Sequence, residues 1–202
     1  MARTQYDPHR AEFSNRAHAT ARALIYPELF ATIPESLNFE DDTLLTEGKR
    51  GGLLDGEMGI DRIVHVTVPN LHGTLRFTVQ ERFRLPEYAC WQDLTITEWN
   101  GTSNTPSELY KITAGYFLYG YYDETNRSFP EALVICMPEL LRRLAMREIP
   151  FRRQLNKKGQ TFFGFTFADL DAAGVICLHH YDQKIDGNIS EKVVDSLPGL
   201  MV

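Results

Sequence analysis

Cysteine is scarce in this chain, three residues among 202, and the number is odd. Cys90, Cys136 and Cys177 stand far apart, which argues against a disulfide framework, and no CxxC spacing suggests zinc. Cys136 in ALVICM and Cys177 in AGVICLHHY sit inside apolar runs, where free cysteine behaves as a small buried hydrophobe, so the sequence assigns them no chemistry. Long apolar runs are also missing. No stretch approaches the roughly 18 apolar residues of a membrane span, and MARTQYDPHR has polar residues where a signal peptide would be apolar. A soluble, cytoplasmic protein without a membrane partner is therefore expected. There is no glycine-rich phosphate loop, nucleophile elbow or HExxH. His179 and His180 are adjacent in a predicted strand and point to opposite faces, which suits neither a shared metal nor a dyad.

A basic excess is absent too. Lys and Arg number 21 against 27 Asp and Glu, for a net charge of -6, which by itself discourages a nucleic-acid partner. The average hides a gradient. Residues 142–158, RRLAMREIPFRRQLNKK, carry seven Lys/Arg and one Glu, or +6, so the remaining residues sum to -12. Residues 28–61 carry nine acids and two bases. One region can attract phosphate and another a cation, or both can be ordinary solvated faces.

The chain is long enough to bury about 70% of its unfolded surface. One domain is expected over residues 1–181, with 182–202 as a weakly ordered tail. Asp7-Pro8 opens a helix over 8–25, with Phe13, Ala17, Ala21, Leu24 and Ile25 at helical spacing. A polar, acidic stretch over 34–50 reads as loop. Strands follow at 60–68 and 74–84, joined by a turn at 69–73, and a third at 91–99. Ser107 is read as the cap of a helix running to residue 124. The remainder alternates strand 131–137, helix 138–148, strand 161–167, short helix 168–174 and strand 175–181. A meander followed by helical crossovers implies an α/β fold, a mixed β-sheet flanked by helices.

The most informative segment joins Gly59-Ile60-Asp61 to Gln80-Glu81-Arg82-Phe83-Arg84 across a hairpin. Asp61 begins one strand, and Gln80 and Arg82 lie near the end of its antiparallel partner, sharing a face because they are two residues apart. An acid, an amide oxygen and a cation then converge, a set suited to a divalent metal and a phosphate. Plainer readings exist: Asp61 as a turn residue, and Gln80, Arg82 and Arg84 as the solvated face of an edge strand. Glu81 shares parity with Val79 and Phe83, toward the core, where a carboxylate needs a partner; a local bulge would bring it, rather than Gln80, to the metal. Glu12 can be an exposed i,i+4 partner of a helix arginine, and Glu108 with Lys111 a surface ion pair. Asp55 and Glu57 read as loop residues.

Over roughly residues 8–125, the succession of helix, strand with GID, strand with QxR, then helix resembles the PD-(D/E)xK, or restriction-endonuclease-like, nuclease superfamily. The resemblance implies an α-β-β-β-α-β core with a C-terminal extension. It further implies Mg²⁺ or Mn²⁺ bound by Asp61 and Gln80, with Glu12 on the first helix as a further ligand. Arg82 falls where the family has its catalytic lysine, so Asp61, Gln80 and Arg82 form the expected catalytic set. A guanidinium there can stabilise phosphorane charge but cannot move a proton. DNA is the partner implied, hydrolysed by metal-activated water, and a homodimer the assembly. Arg84, Lys111, Arg142, Arg143, Arg152, Arg153, Lys157 and Lys158 are the expected nucleic-acid contacts, with Phe151 able to stack on a base. The alternative is a nuclease-fold protein that has lost the chemistry and binds nucleic acid or a protein partner.

Overall fold

The computed structural model describes residues 8–40, 58–67, 73–101, 103–157 and 159–182. The acidic stretch around Asp55 and Glu57, most of the turn expected at 69–73, Lys158 and the tail after Asp182 lie outside the described residues.

Helix α1, Pro8–Leu29, runs past the predicted end at Pro27, because a proline in the last turn removes one hydrogen bond without forcing the helix to stop. Its Ala17, Ala21 and Ile25 are fully buried, at the spacing read from the sequence. The strands are β1 Leu37–Glu40, β2 Arg62–Thr67, β3 Thr74–Arg84, β4 Asp93–Asn100, β5 Thr105–Pro106, β6 Tyr116–Asp123, β7 Ser128–Cys136, β8 Arg152–Leu155, β9 Thr161–Thr166 and β10 Ile176–Tyr181. The short helices are α2 Glu108–Lys111, α3 Met137–Ala145 and α4 Phe167–Ala172.

These strands form two sheets rather than one. The larger has the order β1-β2-β3-β6-β7-β10, and the smaller β5-β4-β9-β8. Within the larger sheet only β3 and β6 are parallel, so it is mixed, as predicted. Helix α1 covers one face, packing Ala17, Ala21, Ile25 and Tyr26 against Val64, Val79, Leu118 and Val134. The smaller sheet and α2, α3 and α4 cover the other, with Leu94, Ile96, Leu109, Leu140, Phe165 and Leu170 packed on Phe117, Tyr119, Leu133 and Ile135.

Two sequence expectations are corrected. The helix predicted from Ser107 to residue 124 ends at Lys111, and residues 116–123 are the central strand β6. A strand covered on both faces reads as a continuous apolar run, YFLYGYY, whose aromatic spacing imitates a helix. Gly120 belongs there because a Cβ would stand 2.9 Å from the Phe129 ring. The third strand of the expected meander, β4, does not pair with β3 at all. A 3₁₀ turn over Pro86–Trp91 and a left-handed Gln92 (φ 44°) carry it into the second sheet, where it pairs with β9. The expected α-β-β-β-α-β core is therefore not reproduced strand for strand.

Strands β1, β5 and β8 were not foreseen. They are edge strands: β5 and β8 are exposed throughout, without the apolar alternation that betrays a strand, while β1 alternates Leu37 and Phe39 inward with Asn38 and Glu40 outward but is only four residues long.

Candidate functional site

The β2–β3 hairpin sets Arg62 opposite Val79. Just before β2, the Asp61 N–H donates to Val79 O, at 2.9 Å. Asp61 Oδ2 then accepts the Glu81 N–H at 2.7 Å. The carboxylate replaces a backbone acceptor and lies along the ladder, between the face that carries Gln80 and the face that carries Glu81.

On the face toward the second sheet, Gln80 is 9% exposed and its Oε1 has no hydrogen-bond partner among the described residues. Arg82 shares that face. It donates through one nitrogen to Thr95 O at 2.7 Å and through the other to Glu108 Oε2, which also accepts the Thr97 N–H at 3.2 Å. Arg82 thus fastens α2 and β4 to β3, and its charge is offset inside the protein. Glu108 turns to Arg82 and the β4 backbone, which is not the surface role read from its spacing to Lys111.

On the α1 face, Glu81 is buried within a network that sequence reasoning did not assemble. Tyr26 donates its hydroxyl to Glu81 Oε1 at 2.6 Å. His18 Nδ1 lies 2.5 Å and Arg62 Nε 3.3 Å from Oε2. Burial works against the Glu81 carboxylate, yet His18, Arg62 and Tyr26 together outweigh it and hold its pKa below the usual carboxylate range. Burial, then the Glu81 charge, pushes the Tyr26 phenol well up. Arg22, its guanidinium 4.9 Å over the Phe39 ring, is lowered by burial and by neighbouring Arg62. The signal was present as His18, Arg22 and Tyr26 at i, i+4 and i+8, one stripe of the helix.

Glu12 is not brought to this place. It is exposed and ion-paired with Arg16, which also approaches Glu124 beyond the end of β6 at 3.7 Å. Tyr26, the α1 residue that feels Asp61 electrostatically, is 14 residues further on, about 21 Å along a helix. Glu12 is thus engaged with Arg16, away from the part of α1 that carries Tyr26 to Glu81. Among the described residues, no group of three or more His, Cys, Asp or Glu is placed to hold a metal. Asp61 and Gln80 remain as oxygen donors, a sparse set that fits an ion retaining most of its water, such as Mg²⁺.

The expected phosphate contacts divide. Arg84 is engaged with Tyr119 Oη at 3.0 Å, with Asp93 at 3.8 Å and over the Tyr88 ring at 4.4 Å. Arg142 and Arg143 both bind Glu139, and Arg143 binds Glu148 at 2.9 Å. The Glu139 carboxyl is pulled down to about 2 by those arginine hydrogen bonds. Arg153 donates to Glu98 at 2.6 Å. Arg152, Lys157 and, on α2, Lys111 have exposed side chains. Much of the basic run is therefore neutralised locally, by Glu139 and Glu98 from outside it and by Glu148 within it. Its strand β8 belongs to the sheet that Gln80 and Arg82 face, two strands from β4.

A second polar network lies elsewhere. Buried Glu131 accepts from Gln92 at 2.7 Å and meets His179 Nε2 at 2.9 Å, while His179 Nδ1 lies 3.1 Å from Tyr181 Oη. His180 pairs instead with Glu28 of α1, at 2.5 Å, so the two histidines do face opposite ways.

No family model matches the chain, and no curated protein does. Among solved structures it is similar to a nuclease from a fusselovirus, at 11% identity over 68% of this chain and 74% of that one, with a TM-score of 0.30.

Proposed function

We propose that this chain is a divalent-metal-dependent nuclease acting on DNA phosphodiester bonds, with Asp61 and Gln80 as its metal-holding oxygens. The observation that carries this reading is the amide oxygen of Gln80, buried and without a hydrogen-bond partner among the described residues. Leaving such an acceptor unsatisfied costs about 1–3 kcal/mol, and a hydrated cation beside Asp61 relieves it. Mg²⁺ or Mn²⁺ suits the pair, because such ions are held by one or two carboxylates and keep several waters. Bound there, the ion supplies Lewis-acid polarisation of a phosphoryl oxygen and activation of water.

The protein's own part is positional. The Glu81 N–H orients the Asp61 carboxylate. Arg82 places its guanidinium on the Gln80 face, its charge shared with Glu108, while its bonds to Thr95 and Glu108 hold α2 and β4 in place. Arg152, Lys157 and Lys111, exposed, neutralise backbone phosphates. Purified protein is expected to cleave plasmid, linear, single-stranded or branched DNA with Mg²⁺ or Mn²⁺, and Asp61→Ala to abolish cleavage. No metal-dependent cleavage of any of the four defeats the reading.

A second reading is favoured by the commitment of Arg82 to Glu108 and Thr95. A guanidinium so occupied and a site of two oxygens also describe a nuclease-fold protein that binds nucleic acid without cutting it. That protein binds DNA in a strongly salt-dependent way, indifferent to Asp61→Ala.

A further inference from the structure

Strand β7 ends at Cys136, whose N–H donates to Val175 O at 2.9 Å. This continues the pairing of β7 with β10, in which Ile135 faces Ile176 and Val134 faces Leu178. Cys177 is the extra residue between those two pairs, at a register shift of the bulge type. Cys177 thereby stands on the strand beside Cys136, and its thiol feels the Cys136 sulfur. Tyr116, set against Cys136 across the β6–β7 pairing, feels both sulfurs. Cys177 is exposed and Cys136 half-buried, while exposed Cys90 turns its Sγ to Glu87 O at 3.4 Å.

We infer that Cys136 and Cys177 are a redox-active pair that closes to an intramolecular disulfide by exchange with a low-molecular-weight disulfide. The exposed Cys177 is reached first. Its thiolate attacks one sulfur of the reagent RSSR, forming a mixed disulfide and releasing one RS⁻, which takes up the proton Cys177 has lost. The Cys136 thiolate then attacks the Cys177 sulfur and expels the second RS⁻, protonated in turn. The pair gives up two electrons and two protons, and RSSR becomes two RSH. A disulfide needs an S–S distance of about 2.05 Å and Cβ atoms roughly 3.5–4.5 Å apart. A bulged residue, unpaired in the ladder, is the part of a strand best able to shift to that spacing. Although the residue is exposed, partial desolvation of its sulfur beside the sheet, then the neighbouring Cys136, pushes the Cys177 thiol up to about 11. Its thiolate fraction, and with it the rate, therefore rises with pH through the alkaline range.

The test uses the full chain carrying Cys90→Ser, which removes the remaining thiol. The protein is incubated with excess oxidised glutathione and followed by intact mass and peptide mapping. The expected product has lost two hydrogens, joins the Cys136 peptide to the Cys177 peptide, and reverts with dithiothreitol. Cys136→Ser, unable to complete the second step, is expected to accumulate a single glutathione adduct on Cys177. Two separate glutathione adducts, an unmodified chain, or a cross-link between chains in the Cys90→Ser protein would overturn the inference. None of these outcomes depends on whether the chain cleaves DNA.

Discussion

Tyr26 and Glu81 meet across the boundary between α1 and β3, the phenol donating to Glu81 Oε1 at 2.6 Å with both side chains buried. This contact joins the helix to the strand residue whose N–H holds Asp61. Tyr26→Phe leaves a buried carboxylate oxygen with one donor fewer. The expected loss is about 1–3 kcal/mol in urea unfolding, and an unchanged midpoint would remove the contact's claimed importance.

The same network sets an acid limit. Glu81 has a folded pKa below its unfolded value, so its contribution to stability is present above the unfolded value, about 4.3. It is lost as pH falls from there through the lowered folded pKa. Stability curves of the wild type and Glu81→Gln should differ at neutral pH and converge in acid. A difference that stays constant down to the acid transition would contradict this.

Metal binding is separable from cleavage. If Asp61 and Gln80 hold the ion, Mn²⁺ raises the melting temperature of the wild type by mass action, about 2.7 kcal/mol at a hundredfold excess over Kd. Asp61→Ala and Gln80→Leu should show no such rise. A full Mn²⁺ response in both variants would place the ion elsewhere.

Phosphate contacts are expected to be unequal. Arg152→Ala and Lys157→Ala should each lower the slope of log binding constant against log salt by about 1. Arg142→Ala should lower it less, because that charge is already spent on Glu139. Equal slopes for all three would show that the ion pairs open on DNA binding.

At the centre of the larger sheet, Gly120→Ala places a Cβ 2.9 Å from the Phe129 ring. With β6 buried on both faces, relief requires moving β7, and the expected destabilisation is about 1–3 kcal/mol. Thermal unfolding measures it, and a wild-type melting temperature would mean that Phe129 shifts freely.

What was legible in the sequence was local. The amphipathic stripe of α1, the hairpin from Arg62 to Arg84, and, after residue 128, β7, α3, β9, α4 and β10 follow from periodicity and capping, signals carried by neighbours a few residues apart. The proximity of Asp61 to the end of β3 was legible for the same reason, since an antiparallel hairpin pairs residues by counting from its turn. Which face each side chain takes was not. The Asp61 carboxylate turns to the Glu81 N–H. Arg82 finds Glu108 and Thr95 only because β4 leaves for a second sheet. Glu81 finds His18 and Tyr26 only because α1 crosses that face, and Cys136 meets Cys177 only through the β7–β10 pairing. Such contacts join residues from 13 to more than 50 positions apart. Chain periodicity sets what an element is, and only the packing of elements decides which buried charge or thiol finds a partner.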